Sequence, residues 1–260
     1  MTILDEIIAH KKQEVSQKKR AIPVGRLEQS YLFDRDVYSL SEALRTSSTG
    51  IIAEHKRKSP SKSDINMSAV LKDVVCGYQK AGVSGISILT DTKYFGGSLE
   101  DLILARANTK TPLLRKEFIV DSYQIFEAKA YGADAILLIA AALSEEELKS
   151  LSQTAKNIGL DVLLEVHNRE ELEKSLLPSV DMLGVNNRNL KTFEVTLDTS
   201  KDLAQFIPND FVKVSESGIN TDKDVLALRE YGYQGFLIGE RFMRSEDPGA
   251  SAERFITELT

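Results

Sequence analysis

The stretch Ile51-Ile-Ala-Glu-His-Lys-Arg-Lys-Ser-Pro-Ser-Lys62 begins as a core strand and ends as something else. Burial favours its first half, whereas Glu54, Lys56 and the break at Pro60 put charge and a chain reversal where apolar residues should continue. Side chains alternate along a strand, so Ile52, Glu54 and Lys56 share one face and Ala53 and His55 the other. The acid and the amine therefore point the same way. Two readings are open at this point: a structural ion pair at a strand end, or a pair of groups that does chemistry.

Seven more short apolar runs follow, and together the eight occupy 51–54, 85–89, 112–116, 135–139, 161–166, 182–185, 212–215 and 235–238. Their spacing averages about 26 residues, room for a strand, a crossover helix and two loops. Helical patterns fill 69–79, 99–107, 122–131, 145–157, 169–175 and 222–231. Ser144 with Glu147 and Thr221 with Asp224 have the spacing that starts a helix, and Gly82, Gly132 and Gly232 can close one. Eight such units, with no glycine-rich dinucleotide fingerprint after the first strand, predict an α/β fold of the closed (β/α)8 TIM barrel type. Ile3, Leu4, Ile7, Ile8 and Val15 mark an amphipathic helix over 3–20. Residues 1–48 thus read as an N-terminal helical extension of a single barrel domain over 1–260. The sequence closes soon after the eighth unit, so no fused second enzyme domain is expected.

Composition narrows the function. The chain is 42% hydrophobic and 28% charged, no apolar run approaches the ~20 residues of a membrane span, and the N-terminus lacks the basic start and apolar centre of a signal peptide. A cytoplasmic protein that does not bind membranes is expected. Cys76, the single cysteine, excludes an intrachain disulfide and reads as a packed small hydrophobe. A net charge of −6 disfavours a nucleic-acid binder. Lys56, Arg57, Lys58 and Lys62 form a local basic patch without interleaved aromatic residues, which suits a small phosphorylated ligand better than a polyanion.

In a βα barrel, reactive groups collect where strands end. Here those positions hold Glu54 and Lys56, Lys116, Glu165, Asn186 with Asn187 and Arg188, and Ser215, Glu216 and Ser217. Parity aligns Leu114 with Lys116 and Phe118, Leu163 with Glu165 and His167, and Gly184 with Asn186 and Arg188. Lysines and glutamates converging in a partly dry cavity shift one another's protonation, as acid–base chemistry near neutral pH requires. No cofactor is called for, and His10, His55 and His167 lack metal-ligand spacing. His55 should pack against the helix layer. After the last two strands, Ser217-Gly218 and Leu237-Ile-Gly239-Glu240 fall where such barrels hold phosphate on free backbone N–H groups.

Set in order, these motifs resemble the indole-3-glycerol phosphate synthase family. The resemblance runs through Ala53–Lys62, Ser87–Asp91, Phe95–Leu99, Leu114–Phe118, Gly132–Leu138, Leu164–His167, Gly184–Leu190, Ser215–Ile219 and Phe236–Gly239. It implies ring closure of 1-(2-carboxyphenylamino)-1-deoxyribulose 5-phosphate to indole-3-glycerol phosphate, with loss of carbon dioxide and water, in tryptophan biosynthesis. It implies roles as well. Lys116 would be the general acid and Glu165 the base or proton partner, while Lys56 would anchor the substrate carboxylate with Glu54 orienting the lysines. Which lysine delivers which proton stays open. Asn186 and Arg188 would hydrogen-bond substrate and the catalytic glutamate, and Glu216 would complete the network. Phe95, Phe118 and Leu138 would wall the aromatic ring, Ser59 and Pro60 would lie in a mobile loop over the substrate, and Ser217, Gly218, Leu237, Gly239 and the Glu240 N–H would surround the phosphate. Association with other tryptophan-pathway enzymes is an expectation of the same kind.

Three residues depart from the family pattern: His55 where an aliphatic residue is usual, Ser63 in place of a glycine, and Glu240 at a position that is often small, so that its side chain should point away from phosphate. A phosphoribosylanthranilate isomerase would need a cysteine and an aspartate at its strand ends, and Cys76 falls on a predicted helix. A silent barrel retained for binding would not need Glu54, Lys56, Lys116 and Glu165 together.

Overall fold

Eight parallel strands pair in sequence order and close on themselves: β1 (Ile51–His55), β2 (Gly85–Leu89), β3 (Leu113–Lys116), β4 (Ala135–Ile139), β5 (Asp161–Val166), β6 (Met182–Asn186), β7 (Val212–Glu216) and β8 (Gly235–Ile238). The computed structural model describes residues 2–60, 62–190 and 192–260, so Ser61 of the first loop lies outside the described residues. The fold is the expected TIM barrel. β1, β6 and β7 each run one residue further than their apolar runs suggest, which keeps His55, Asn186 and Glu216 in regular strand alternation. The capping boxes at Ser144/Glu147 and Thr221/Asp224 are both formed.

Alternation divides the core in two. Inside the barrel lie Ile52, Leu114, Leu163 and Val214, sealed at the strand starts by Leu40 and Leu44 of a helix (Leu40–Thr46). The seal is close: a Cβ on Gly85 would lie 2.4 Å from Leu40 Cδ1. Between strands and helices lie the opposite faces, with Ala53, Ile88, Leu138 and Leu164 packed against helix residues such as Val75, Leu102 and Leu148. Cys76 corrects its reading. It is exposed, because the helix Leu71–Ala81 buries Leu71, Val74, Val75 and Tyr78, and a 3.6-residue period leaves position 76 on the outer side.

The N-terminal helix α1 (Ile3–Ala21) lies at the C-terminal end of the barrel. Its Lys11 is buried and pairs with Asp91 and Glu117, at 3.0 and 3.1 Å, just beyond the ends of β2 and β3, and with Glu14 at 3.0 Å. Burial alone would lower the ammonium's pKa, but Glu117 and Asp91 outweigh it and hold the lysine charged. Ile3, Leu4 and Ile7 consequently face the cavity that the strand ends enclose. Among the described residues no helix is long and apolar enough to cross a membrane.

Candidate active site

That cavity has a volume of about 880 Å³. Its floor is a layer from the four odd strands: Glu54 on β1, Lys116 on β3, Glu165 on β5 and Glu216 on β7. Two residues earlier on the same strands stand Ile52, Leu114, Leu163 and Val214, so the barrel's interior changes from apolar to ionic within one step of the alternation. Lys116 Nζ lies 3.3 Å from Glu165 Oε2 and is also hydrogen-bonded to Glu216 Oε2. Lys56, just past β1, donates to Glu54 Oε1 at 2.6 Å.

Two glycines make room for these carboxylates. A Cβ on Gly184 would lie 2.4 Å from Glu216 Oε1, and one on Gly239 would lie 2.6 Å from Glu54 Oε1. Either contact is too short for a side chain to remain in place.

Burial and charge oppose each other throughout the layer. Burial pulls the Lys116 ammonium down, yet Glu216, Glu165 and Glu54 together raise its pKa. Burial pushes Glu54 and Glu165 up, yet Lys56 and Lys116 hold Glu54 below its usual range, and Lys116, His167 and Asn186 do the same for Glu165. Glu216 goes the other way. Burial and the negative neighbours Glu165 and Glu54 outweigh Lys116 and raise it to about 7, and its Oε1 has no hydrogen-bond partner among the described residues. One charged acid, two carboxylates and one carboxyl poised near neutrality thus share the floor.

The wall is aromatic on one side. Phe95 and Phe118 have ring centroids 5.8 Å apart. Asp91 accepts the N–H groups of Tyr94 and Phe95 at 2.7 and 3.2 Å, and Glu117 accepts that of Phe118 at 2.9 Å. These are the carboxylates that Lys11 holds, so α1 is tied to both rings. Leu138 corrects its reading: it faces the helix layer, and Leu137 and Ile139 face the cavity instead. In the run Ala135-Ile-Leu-Leu-Ile139 no polar residue marks the inner face. Arg188 also corrects its reading in part. It lines the cavity, but its guanidinium donates to the Phe193 carbonyl at 3.3 Å and has no contact with Glu165, because Asn186 Oδ1 takes its backbone N–H and a bridge to Val195 turns the chain along the loop.

Opposite the rings, Ser217 and Gly218 are both left-handed, with φ of 67° and 82°. For Ser217 that conformation costs on the order of 1–3 kcal/mol, a strain found where backbone must be aimed at a ligand. Ser217, Gly218, Leu237, Gly239 and Glu240 all line this side, and Ser59 and Pro60 line the first loop above it. The Glu240 carboxylate is turned to Lys62 of that loop and to Arg244, at 2.6 Å from the latter. His55 is buried outside the barrel, and burial lowers its pKa to about 4. The apolar residues of α1 escape a reading of strand ends alone, and His167, which parity places on the face of Glu165, stands beside that carboxylate and is not among the residues lining the cavity.

The indole-3-glycerol phosphate synthase family model matches residues 4–255. The chain belongs to this family. An indole-3-glycerol phosphate synthase of Bacteroides thetaiotaomicron is 47% identical over 257 residues, covering 99% of this chain and 98% of that one. One of Burkholderia vietnamiensis is 44% identical, covering 97% and 98%. Indole-3-glycerol phosphate synthases are carboxy-lyases of tryptophan biosynthesis, and the chain is an enzyme of that class. More distant structures share the fold alone. The tryptophan synthase alpha subunit of Legionella pneumophila is 13% identical with a TM-score of 0.61, covering 85% of this chain and 96% of that one. KGPDC of Streptococcus mutans is 12% identical at 0.60, covering 81% and 96%.

Proposed function

We propose that the cavity closes the indole ring of 1-(2-carboxyphenylamino)-1-deoxyribulose 5-phosphate with Lys116 as the acid and Glu165 as the base. The observation that carries this reading is the placement of Lys116: a partly buried, charged lysine held between Glu165 and Glu216, with the Phe95–Phe118 pair at the same cavity. The ring carbon that bears the carboxylate attacks the ketone carbon, and the ketone oxygen takes a proton from Lys116. Carbon dioxide then leaves, and its bonding electrons restore the aromatic ring. Protonation and loss of the new hydroxyl as water, with removal of a proton from the nitrogen-bearing carbon by Glu165, complete the indole. Lys56 anchors the carboxylate until it departs, and Glu54 fixes Lys56. Asn186 orients Glu165, Arg188 faces the substrate, and Glu216 holds Lys116.

The phosphate sits at the Ser217-Gly218 turn and the start of the short helix Glu240–Met243, opposite the rings. Fixing both ends of a flexible substrate brings the ring carbon and the ketone together, and such orientation supplies a large share of a cyclisation barrier. On this reading residues 1–260 work as one cytoplasmic domain, and contact with neighbouring enzymes of the pathway is transient. The decisive experiment is turnover by the purified protein without added metal or nucleotide, followed by indole fluorescence. A folded sample that binds the substrate and releases no indole product would leave the silent-barrel reading in its place.

A further inference from the structure

Glu165 uses its two oxygens in different directions. Oε2 faces Lys116 in the cavity, while Oε1 lies 3.4 Å from Nε2 of His167, just past the end of β5. The other ring nitrogen, Nδ1, is 3.1 Å from Glu171 Oε2, and that same oxygen accepts the His167 backbone N–H at 2.8 Å. Asn168 Nδ2 holds the second Glu171 oxygen at 2.7 Å. The imidazole therefore lies between a buried carboxylate and a partly exposed one, hydrogen-bonded to Glu171 through Nδ1, with the buried Nε2 3.4 Å from Glu165 and making no hydrogen bond among the described residues. It is not among the residues that line the cavity.

The proposed reaction needs such a route, and the inference rests on that reading. When the substrate carboxylate leaves as carbon dioxide and the ketone oxygen leaves as water, the balance requires one proton from solvent per turnover. The proton taken from the nitrogen-bearing carbon can serve the departing hydroxyl, but the one Lys116 gave must be replaced. We propose that His167 is a proton-relay and positioning residue, through which solvent protons pass from Glu171 to Glu165 and on to Lys116. The charged groups facing it are Glu165 from β5, Glu171 from the following helix (Arg169–Glu173) and Glu216 from β7, with Lys116 beyond Glu165. Burial lowers the imidazole's pKa, but Glu171, Glu165 and Glu216 outweigh it, which keeps a proton available near neutrality.

The test compares first-turnover and steady-state rates of the wild type, His167→Asn and Glu171→Gln, with thermal unfolding as the check on folding. In His167→Asn the first turnover uses the proton already on Lys116 and should stay within about twofold of wild type. Its steady-state rate should fall about tenfold or more, less than the ~10²–10⁴-fold of a lost direct acid or base, with KM falling in step so that kcat/KM holds, and with recovery on adding free imidazole. Glu171→Gln should show the same split to a smaller degree. An unchanged steady state, an equal loss in both phases, or no recovery with imidazole would overturn the relay. Absence of indole product from the wild type would overturn the proposed reaction instead.

Discussion

The two ends of the barrel each bury a charge network, and they are built to different rules. At the N-terminal end, Asp134 accepts from Arg35 at 2.8 Å and the Tyr38 N–H at 2.9 Å on one oxygen, and from Arg106 at 2.7 Å and the Leu113 N–H at 2.8 Å on the other. Its two cations answer one buried anion. At the C-terminal end, Lys116 and Lys56 face three acids, Glu165, Glu216 and Glu54, and Glu216 Oε1 is left without a partner among the described residues. A closed network fixes the chain, whereas one short of cations leaves protons undecided, as acid–base chemistry requires.

Breaking each network should therefore be felt in a different measurement. Lys116→Met should lower turnover about 10²–10⁴-fold, the range for a lost general acid, with the melting transition still cooperative. Asp134→Ala should cost about 3–5 kcal/mol of stability, since it strands Arg35 and Arg106 without their buried partner, while turnover per folded molecule stays near wild type. Denaturant titration and indole fluorescence on the same samples separate the two. If Asp134→Ala removed activity at full stability, the division between the ends would be wrong.

The pH dependence sharpens the contrast. Glu216 is raised to about 7 from 4.5, so the native state binds its proton more tightly than the unfolded chain does. That stabilisation is complete below about pH 4.5 and is lost as the pH rises through 7. Glu216→Gln is neutral at every pH, so its stability relative to wild type should improve between pH 5 and pH 8, by up to about 3 kcal/mol from the size of the shift. A stability difference between Glu216→Gln and wild type that is the same at the two pH values, in urea titrations, would show that Glu216 is not the undecided proton.

Much of this was legible in the sequence because charge interrupts apolar alternation. Glu54, Lys116, Glu165 and Glu216 name their own face, and their spacing in the chain orders the strands. Where the marker is missing, the face is not legible: β4 is apolar throughout, so nothing in its sequence distinguishes Leu138 from the inward-facing Leu137 and Ile139. Asp134, Arg35 and Arg106 lie far apart in the chain with no shared pattern, and Leu40 and Leu44 look like any helix residues until the strand starts converge on them. The position of α1 depends on Lys11 meeting Asp91 and Glu117, a long-range pairing that helical periodicity does not carry.

The smallest effect is expected where the network reaches solvent. Lys62 in the first loop pairs with Glu240 beyond β8, with side chains 39% and 29% exposed, and Asn66 Nδ2 of the same loop donates to the Met243 carbonyl at 2.9 Å. These contacts strap the loop to the proposed phosphate side of the cavity. An exposed pair of this kind contributes about 0.2–1 kcal/mol and weakens with salt. Glu240→Gln should accordingly speed amide exchange over residues 56–66 in the ligand-free protein by no more than about fivefold at low salt, and the difference should close near ~1 M salt. Exchange that stayed unchanged at low salt would assign the loop's hold to Asn66 and the backbone, and the ionic character of this end of the barrel would then stop at its floor.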